Sequence, residues 1–422
     1  MKYQGFFPLF VCSFAILFVG FGLFPLLPVY AAEFGATPTL IGLYLAATYS
    51  SITLGTLLSG WLPGNISRKL VFICAGLLGA SALFLMGYAT VLWQVVLLTC
   101  VVWFTGGIGL SLISVFIGLR ADDNSRGKWF SLVALTNPLG AVIGGSAVSW
   151  MVGSKGYSLM FTLLGSVYAI WPLVALWKIQ DQPLGKVNNR KSNQSTGAKS
   201  NLSFRFLLLA VLFSAMTISV VRMGLSLSMK ANQFSPSAIS GSNVIGGLVT
   251  IPVVLAIGFL SDRMGRRLFL SLGYLLAIIG SLTLLKATQL WHFWIVAAAV
   301  LISRSISNSM ASALATDILP KETLQRNLPI LNTMAWMSGV LGFAATGFVI
   351  DTFGSRDLYL MAAGLSLASI GLIIMMARMH RKVITIQNAS QPEYVNHLVK
   401  VNADSYYRYD NHIMNNSASR KL

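Results

Sequence analysis

Charge is scarce in this sequence. Only 10% of its 422 residues are Asp, Glu, Lys or Arg and only 12 are acidic, whereas a soluble domain carries charge on about a quarter of its residues. With 55% hydrophobic residues and a mean hydropathy of +0.72, there is too little polar surface to cover a water-soluble fold. Cysteine occurs three times and histidine four times. Cys12, Cys74 and Cys100 sit inside apolar runs without metal-ligand spacing, so they read as ordinary apolar residues, and neither a disulfide nor a metal site is expected. There is no Gly-rich phosphate loop, which argues against nucleotide hydrolysis. No nucleophile–base set or metal cluster points to an enzyme, and no cofactor is expected.

Long apolar runs bounded by small basic clusters are abundant instead. A helix needs about 20 apolar residues to cross the hydrocarbon core, and the runs predict spans at 6–30, 40–62, 70–88, 91–119, 129–152, 158–177, 204–229, 238–260, 268–285, 291–318, 328–350 and 357–378. The expected fold is an all-α integral membrane protein of twelve transmembrane helices. The formal charge of +18 raises nucleic acid as a partner, but the basic residues lie between spans. About twenty Lys and Arg fall in the segments on one side, against Lys155, Lys230, Lys286 and Arg356 on the other, which places both termini in the cytoplasm. The expected partners are therefore the lipid bilayer and a small-molecule substrate, not nucleic acid, and a monomeric state is compatible with this reading.

Two segments are polar. Residues 178–203 read as a flexible cytoplasmic linker rich in Asn, Ser and Gly, dividing an amino-terminal six-helix bundle (1–177) from a carboxy-terminal one (204–378). Residues 379–422 read as a cytoplasmic, largely disordered tail. The halves repeat: Gly60 in GWLPGNISRK matches Gly258 in GFLSDRMGRR at an offset of 198, and Arg126 matches Arg326 at an offset of 200. A duplicated six-helix bundle accounts for both.

GFLSDRMGRR, with Gly258, Asp262, Arg263, Gly265, Arg266 and Arg267, resembles the loop motif of the major facilitator superfamily. The resemblance implies two pseudo-symmetric six-helix bundles, and a latch in which the acid and the following arginine hold helix ends at a cytoplasmic gate. In the first-half copy Gly64 replaces the acid and Ser67 the second glycine, so a latch there is in doubt. GLFPLLP (Gly22 to Pro28) is similar to the paired-proline motif of twelve-span drug and proton antiporters, and its prolines predict a bendable helix end. TNPLGAVIGG is similar to the exporters' glycine motif in Gly140, Gly144 and Gly145, but has Ala141 in place of its usual proline. The bacterial inner membrane is the location that the resemblance implies.

Charges at bilayer depth cost several kcal/mol, so each is a functional candidate. Arg304 lies 13 residues after Trp291 and 13 before Asp317, about 20 Å from either end at 1.5 Å per residue. Asn308 shares its face. By the repeat Arg304 corresponds to Trp103, where many family members have an arginine. Arg222 lies about 25 Å beyond Arg205 along the seventh helix, near the outer third, where it could snorkel to water or face the cavity. The acids fall in loops, helix ends or the tail, leaving Glu33 as the only reserve for proton coupling. Asn137, Asn243, Asn332, Tyr44, Tyr49 and Trp103 are further candidate liners, with interhelical packing as the plainer alternative. The leading reading is a secondary transporter working by alternating access, most simply an exporter of drug-like or metabolite compounds. The rivals are an organic-anion carrier using Arg304 and Arg222, and a transporter-like sensor or assembly factor.

Overall fold

A computed structural model describes the backbone of residues 7–60, 67–120, 135–179, 198–319 and 321–389, with isolated positions at 129 and 133. Nearly every described residue is helical, as expected where no water is available to satisfy backbone N–H and C=O groups. The helices are α1 (Phe7–Glu33), α2 (Pro38–Gly60), α3 (Arg68–Met86), α4 (Leu92–Arg120), α5 (136–155), α6 (Gly156–Lys178), α7 (Ala198–Ala231), α8 (Pro236–Met264), α9 (Arg266–Leu284), α10 (Leu290–Ile318), α11 (Lys321–Phe353) and α12 (Ser355–Ala389). Eleven helices among the described residues are long and apolar enough to cross a membrane. α5, described from Thr136 onward, completes the twelve. Met1–Leu372 forms one compact unit and Ile373–Leu422 a second, of which the end of α12 is described.

Some helices run further than the apolar runs predict. α7 begins at Ala198, inside the segment read as linker, and α12 continues to Ala389, into the segment read as tail. Hydropathy marks the hydrocarbon crossing, whereas a helix ends only where its hydrogen bonding stops. Glu33 likewise is the last residue of a helix and does not lie beyond it. Residues 61–66, 180–197 and 390–422 lie outside the described residues.

The turns alternate between two ends. Turns at 34–37, 87–91, 232–235 and 285–289 mark one, the short-turn end; the linker, the 61–67 connection and the direct turn at Gly265 mark the other, the linker end. Exposed aromatics gather near both, with Tyr88, Trp93 and Trp291 at the first and Trp177 at the second, the distribution expected at membrane–water interfaces.

Within the first half α2 packs on α4, α3 on α4 and α6, and α1 on α5. The second half repeats this, with α8 on α10, α9 on α10 and α7 on α11. The halves meet along two seams related by the same repeat, α2 against α11 and α5 against α8. Small residues bring the backbones close. A Cβ on Gly42 or Gly347 would overlap the backbone of Phe343 or Pro38 across the first seam. On the second, a Cβ on Gly145 would come within 2.9 Å of Val244 Cγ2.

The sequence motifs explain two breaks in the helices. In GLFPLLP a 3-10 turn at Phe24–Leu26 interrupts α1, because each proline lacks the N–H that would continue the ladder. In TNPLGAVIGG a π segment covers Gly140–Gly144, a local widening of the kind common at functional sites. Cβ atoms at Gly140 and Gly22 would come within 2.8 Å of Leu17 C and 2.7 Å of Gly144 O. The glycines therefore let α5 lie directly against α1, whose break faces the cavity described next.

Candidate functional site

Helices α1, α2, α4, α5, α6, α7, α10 and α11 enclose a cavity of about 200 Å³. Its walls carry Trp103, Asn137, Arg222, Arg304 and Asn308, together with Phe24, Tyr49 and Trp336. Six of the polar or aromatic candidates picked out in the sequence, Tyr49 included, thus meet at one place, drawn from both halves.

Tyr49 organises the centre. Its ring lies 5.9 Å from that of Phe24, 5.7 Å from Trp336 and 4.9 Å from Phe343. Gly339 makes room for it, since a Cβ there would overlap the Tyr49 ring. The phenol oxygen accepts from Arg222 Nη1 at 2.9 Å and from Arg304 Nη1 at 3.4 Å. Arg222 also stacks on Phe24, with Cζ 3.7 Å from the ring centroid, and Arg304 stands 5.9 Å from the Trp336 ring. Such cation–π contacts contribute about 0.5–2 kcal/mol each, more when desolvated. They explain why Arg222 turns inward: a ring face and a hydroxyl are within reach, and snorkelling would forfeit both.

Two donor nitrogens that share one acceptor oxygen at 2.9 and 3.4 Å are no more than about 6 Å apart. Like charges at that range repel by about 0.7–3 kcal/mol for dielectrics between water and a protein surface. Among the described residues no carboxylate balances them. Asp317 pairs with Arg266 at 2.7 Å, Asp351 accepts from the Thr39 N–H at 2.8 Å and from its hydroxyl, Asp357 opens α12, and Glu33 is exposed at the short-turn end. The site is a pair of guanidiniums held by aromatic rings and one neutral oxygen.

The remaining candidates lie elsewhere. Tyr44 is not on the cavity wall: its side chain is buried and its hydroxyl bonds Thr99 at 2.8 Å, because its place on α2 faces α4. Asn243 sits beside a second, smaller cavity and donates to the Phe21 carbonyl at 3.1 Å. In the loop motif Gly265 has φ +95°, a conformation that only glycine adopts freely, and it turns α8 directly into α9. Arg266 bonds Ala313 O at 2.8 Å and Asp317, tying that turn to the end of α10. Arg267 lies at the start of α9. The side chains of Asp262, Arg263 and Asn332, and position Gly258, lie outside the described residues. In the first-half copy Ser67 caps α3 by accepting from Leu70 N at 3.1 Å, and Lys69 caps the end of α6 through Leu176 O at 3.1 Å.

Phe24, Trp336 and Gly339 were not among the sequence candidates. A Phe beside a proline and a Trp in an apolar span look like packing residues. Only the junction of α1, α2 and α11 shows that they surround Tyr49.

Several hydrogen bonds join the two halves between the level of Tyr49 and the short-turn end. Besides Thr39–Asp351 these include Lys230 Nζ to Val29 O at 3.1 Å, Ser149 to Ser237 at 2.9 Å and Ser240 to Gly145 O at 3.2 Å. Two duplicated bundles closed at one end over a central cavity define a membrane carrier, not an enzyme. The family model for the Major Facilitator Superfamily matches residues 9–218 and 207–402, and the chain belongs to that family. It is 23% identical over 404 residues to the quinolone resistance protein NorA of Staphylococcus aureus, covering 88% of this chain and 96% of that one. It is 22% identical over 270 residues to the multidrug resistance protein MdtG of Citrobacter koseri, covering 60% of this chain and 66% of that one. Among solved structures, a bacterial homolog of the lysosomal transporter Spinster, in an inward-facing and occupied conformation, superposes with a TM-score of 0.72 at 13% identity, covering 88% of this chain and 96% of that one. The nucleoside transporter NupG gives a TM-score of 0.69 at 16% identity over 88% and 98% of the two chains.

Proposed function

We propose that this protein is an exporter that carries a small, mainly apolar organic compound across the bacterial inner membrane through the central cavity, by alternating access. The observation that carries this reading is the cavity itself, lined by rings, aliphatic side chains and a few polar groups and walled by both halves, so that rocking one against the other would expose it to each side in turn. The resistance proteins NorA and MdtG, named for survival of drugs, support the outward direction.

With both termini in the cytoplasm, as the basic segments require, the short-turn end is extracellular and the described conformation faces inward. The halves are then 1–177 and 204–378. The loop motif around Gly265 serves the cytoplasmic gate, with Arg266–Asp317 bracing it and Asp262 and Arg263 as the latch.

The test is transport by the purified protein in liposomes, using a cationic dye such as ethidium, neutral drugs and organic anions, with and without an imposed proton gradient. Saturable movement that a gradient drives uphill toward the face opposite the termini is the expected result. Downhill movement in the other direction only, or none of any compound, would overturn the exporter reading.

A further inference from the structure

A second, much smaller cavity of about 30 Å³, with room for a water-sized group such as one carboxylate oxygen, lies on the short-turn side of the first, between α1, α7, α8 and α10. The two share Phe24 and Arg222. The stack of Arg222 on Phe24, at 3.7 Å, is therefore a partition between a chamber that holds Arg304 and a chamber that holds Ser226, Ser242 and Asn243. The chambers follow one another along the helix axes, since Ser226 is one turn beyond Arg222 and Leu301 almost one turn before Arg304.

We propose that the cargo is an amphipathic organic anion, one acidic group on an aromatic or apolar body, and that Arg304 receives the acidic group and Arg222 passes it across the Phe24 partition into the second chamber. This rests on the carrier reading above and goes beyond it in naming the substrate class and the route.

Three observations carry it. The guanidiniums present about five N–H donors each, and the described partners use one on each, both ending on the Tyr49 oxygen. A carboxylate, sulfonate or phosphate oxygen entering there would replace a neutral acceptor with a charged one, whose hydrogen bonds are shorter and about twice as strong. It would also relieve the repulsion between the two arginines. The rest of the wall is mostly rings and aliphatic side chains, Trp103, Trp336, Phe21 and Phe24 among them, with Asn137, Asn308 and Tyr168 as its other polar groups, which suits an aromatic or apolar body. Finally, Arg222 reaches both chambers, and beyond it Asn243 holds an amide whose described bond is a single donation to Phe21 O. That leaves further donor capacity for an oxygen that has passed the partition.

The experiment compares 1-naphthoate, its neutral amide 1-naphthamide and ethidium as cargo for the full chain in proteoliposomes. Naphthoate is expected to move at least about ten-fold faster than naphthamide, the discrimination one charge-assisted hydrogen bond supplies. Arg304→Gln is expected to raise the half-saturating naphthoate concentration about ten-fold, and Arg222→Gln to lower turnover about ten-fold while changing half-saturation by less than about three-fold. Arg304→Lys and Arg222→Lys keep the charge and are expected to restore part of each loss.

Equal rates for acid and amide, or movement of ethidium alone, would overturn the anion proposal and leave the carrier reading standing. Should none of the three move, the carrier reading has failed, and the melting temperature of the detergent-solubilised protein decides the site: a rise with naphthoate but not naphthamide supports the anion site, and no rise overturns it. The acid–amide comparison needs no variant, so it stands even if an arginine variant does not fold. Loss of both parameters together in Arg222→Gln would overturn the two-station route.

Discussion

Arg304 in α10 stands 201 residues after Trp103 in α4, the same place in the repeat, and the two face one cavity. By that offset Arg222 answers to Phe21 in α1. The second half thus supplies cations where the first supplies rings, and the first half supplies Tyr49, the oxygen on which both cations end. Duplication repeats the helix packing because packing depends on size and small-residue spacing. It has not kept the chemistry, and a guanidinium at bilayer depth persists only where something opposite repays its desolvation. What pairs the halves is this inequality, apart from the two seams that hold them closed.

The comparison breaks most forcibly at the seams. Gly347→Val sets a side chain against the backbone of Pro38 and Thr39, which cannot yield without the halves parting. A loss of about 3 kcal/mol or more from the closed short-turn end is expected, visible as faster labelling of a cysteine placed at position 39. Gly145→Val meets the movable side chain of Val244 and is expected to cost about 1–2 kcal/mol by the same readout. Equal effects would show that the seams, unlike the cavity walls, are equivalent.

Tyr49→Phe removes the oxygen that joins the chemistry of the two halves. A hydrogen bond to a charged group contributes about 1.5–3 kcal/mol, and a lower melting temperature without ligand is expected. Gly339→Ala sharpens the same point without touching a polar atom, because it displaces the Tyr49 ring. A smaller fall of about 1–2 kcal/mol is expected, and it should vanish in the Tyr49→Ala background. The smallest effect is expected at Asp317→Asn. Its pair with Arg266 has side chains 30% and 50% exposed, and such pairs contribute about 0.2–1 kcal/mol. A double-substitution cycle with Arg266→Gln measures it directly.

Much of this was readable in the chain. The apolar runs located the twelve helices, and the deep arginines stood out because almost nothing else at that depth is charged. The cavity candidates were less legible. Tyr49, Trp103 and Asn137 line it, while Tyr44, the same residue type as Tyr49 on the same helix, is spent on Thr99. Five residues, from Tyr44 to Tyr49, turn a helix face by more than a right angle, and only the neighbours decide which face looks inward. Arg222 shows the same limit, since its depth allowed either a route to water or a place in the cavity.

The sequence by itself determined the solvent, the helix count, the duplication and the identity of the buried charges, because those follow from local hydropathy, spacing and composition. Tertiary structure alone decided that Arg222 and Arg304 meet on Tyr49, that Phe24 partitions two chambers, and that Gly339 exists to seat a ring. These depend on α1, α2, α7, α10 and α11 arriving at one point from distant parts of the chain, and no periodicity along a single helix records where another helix will lie.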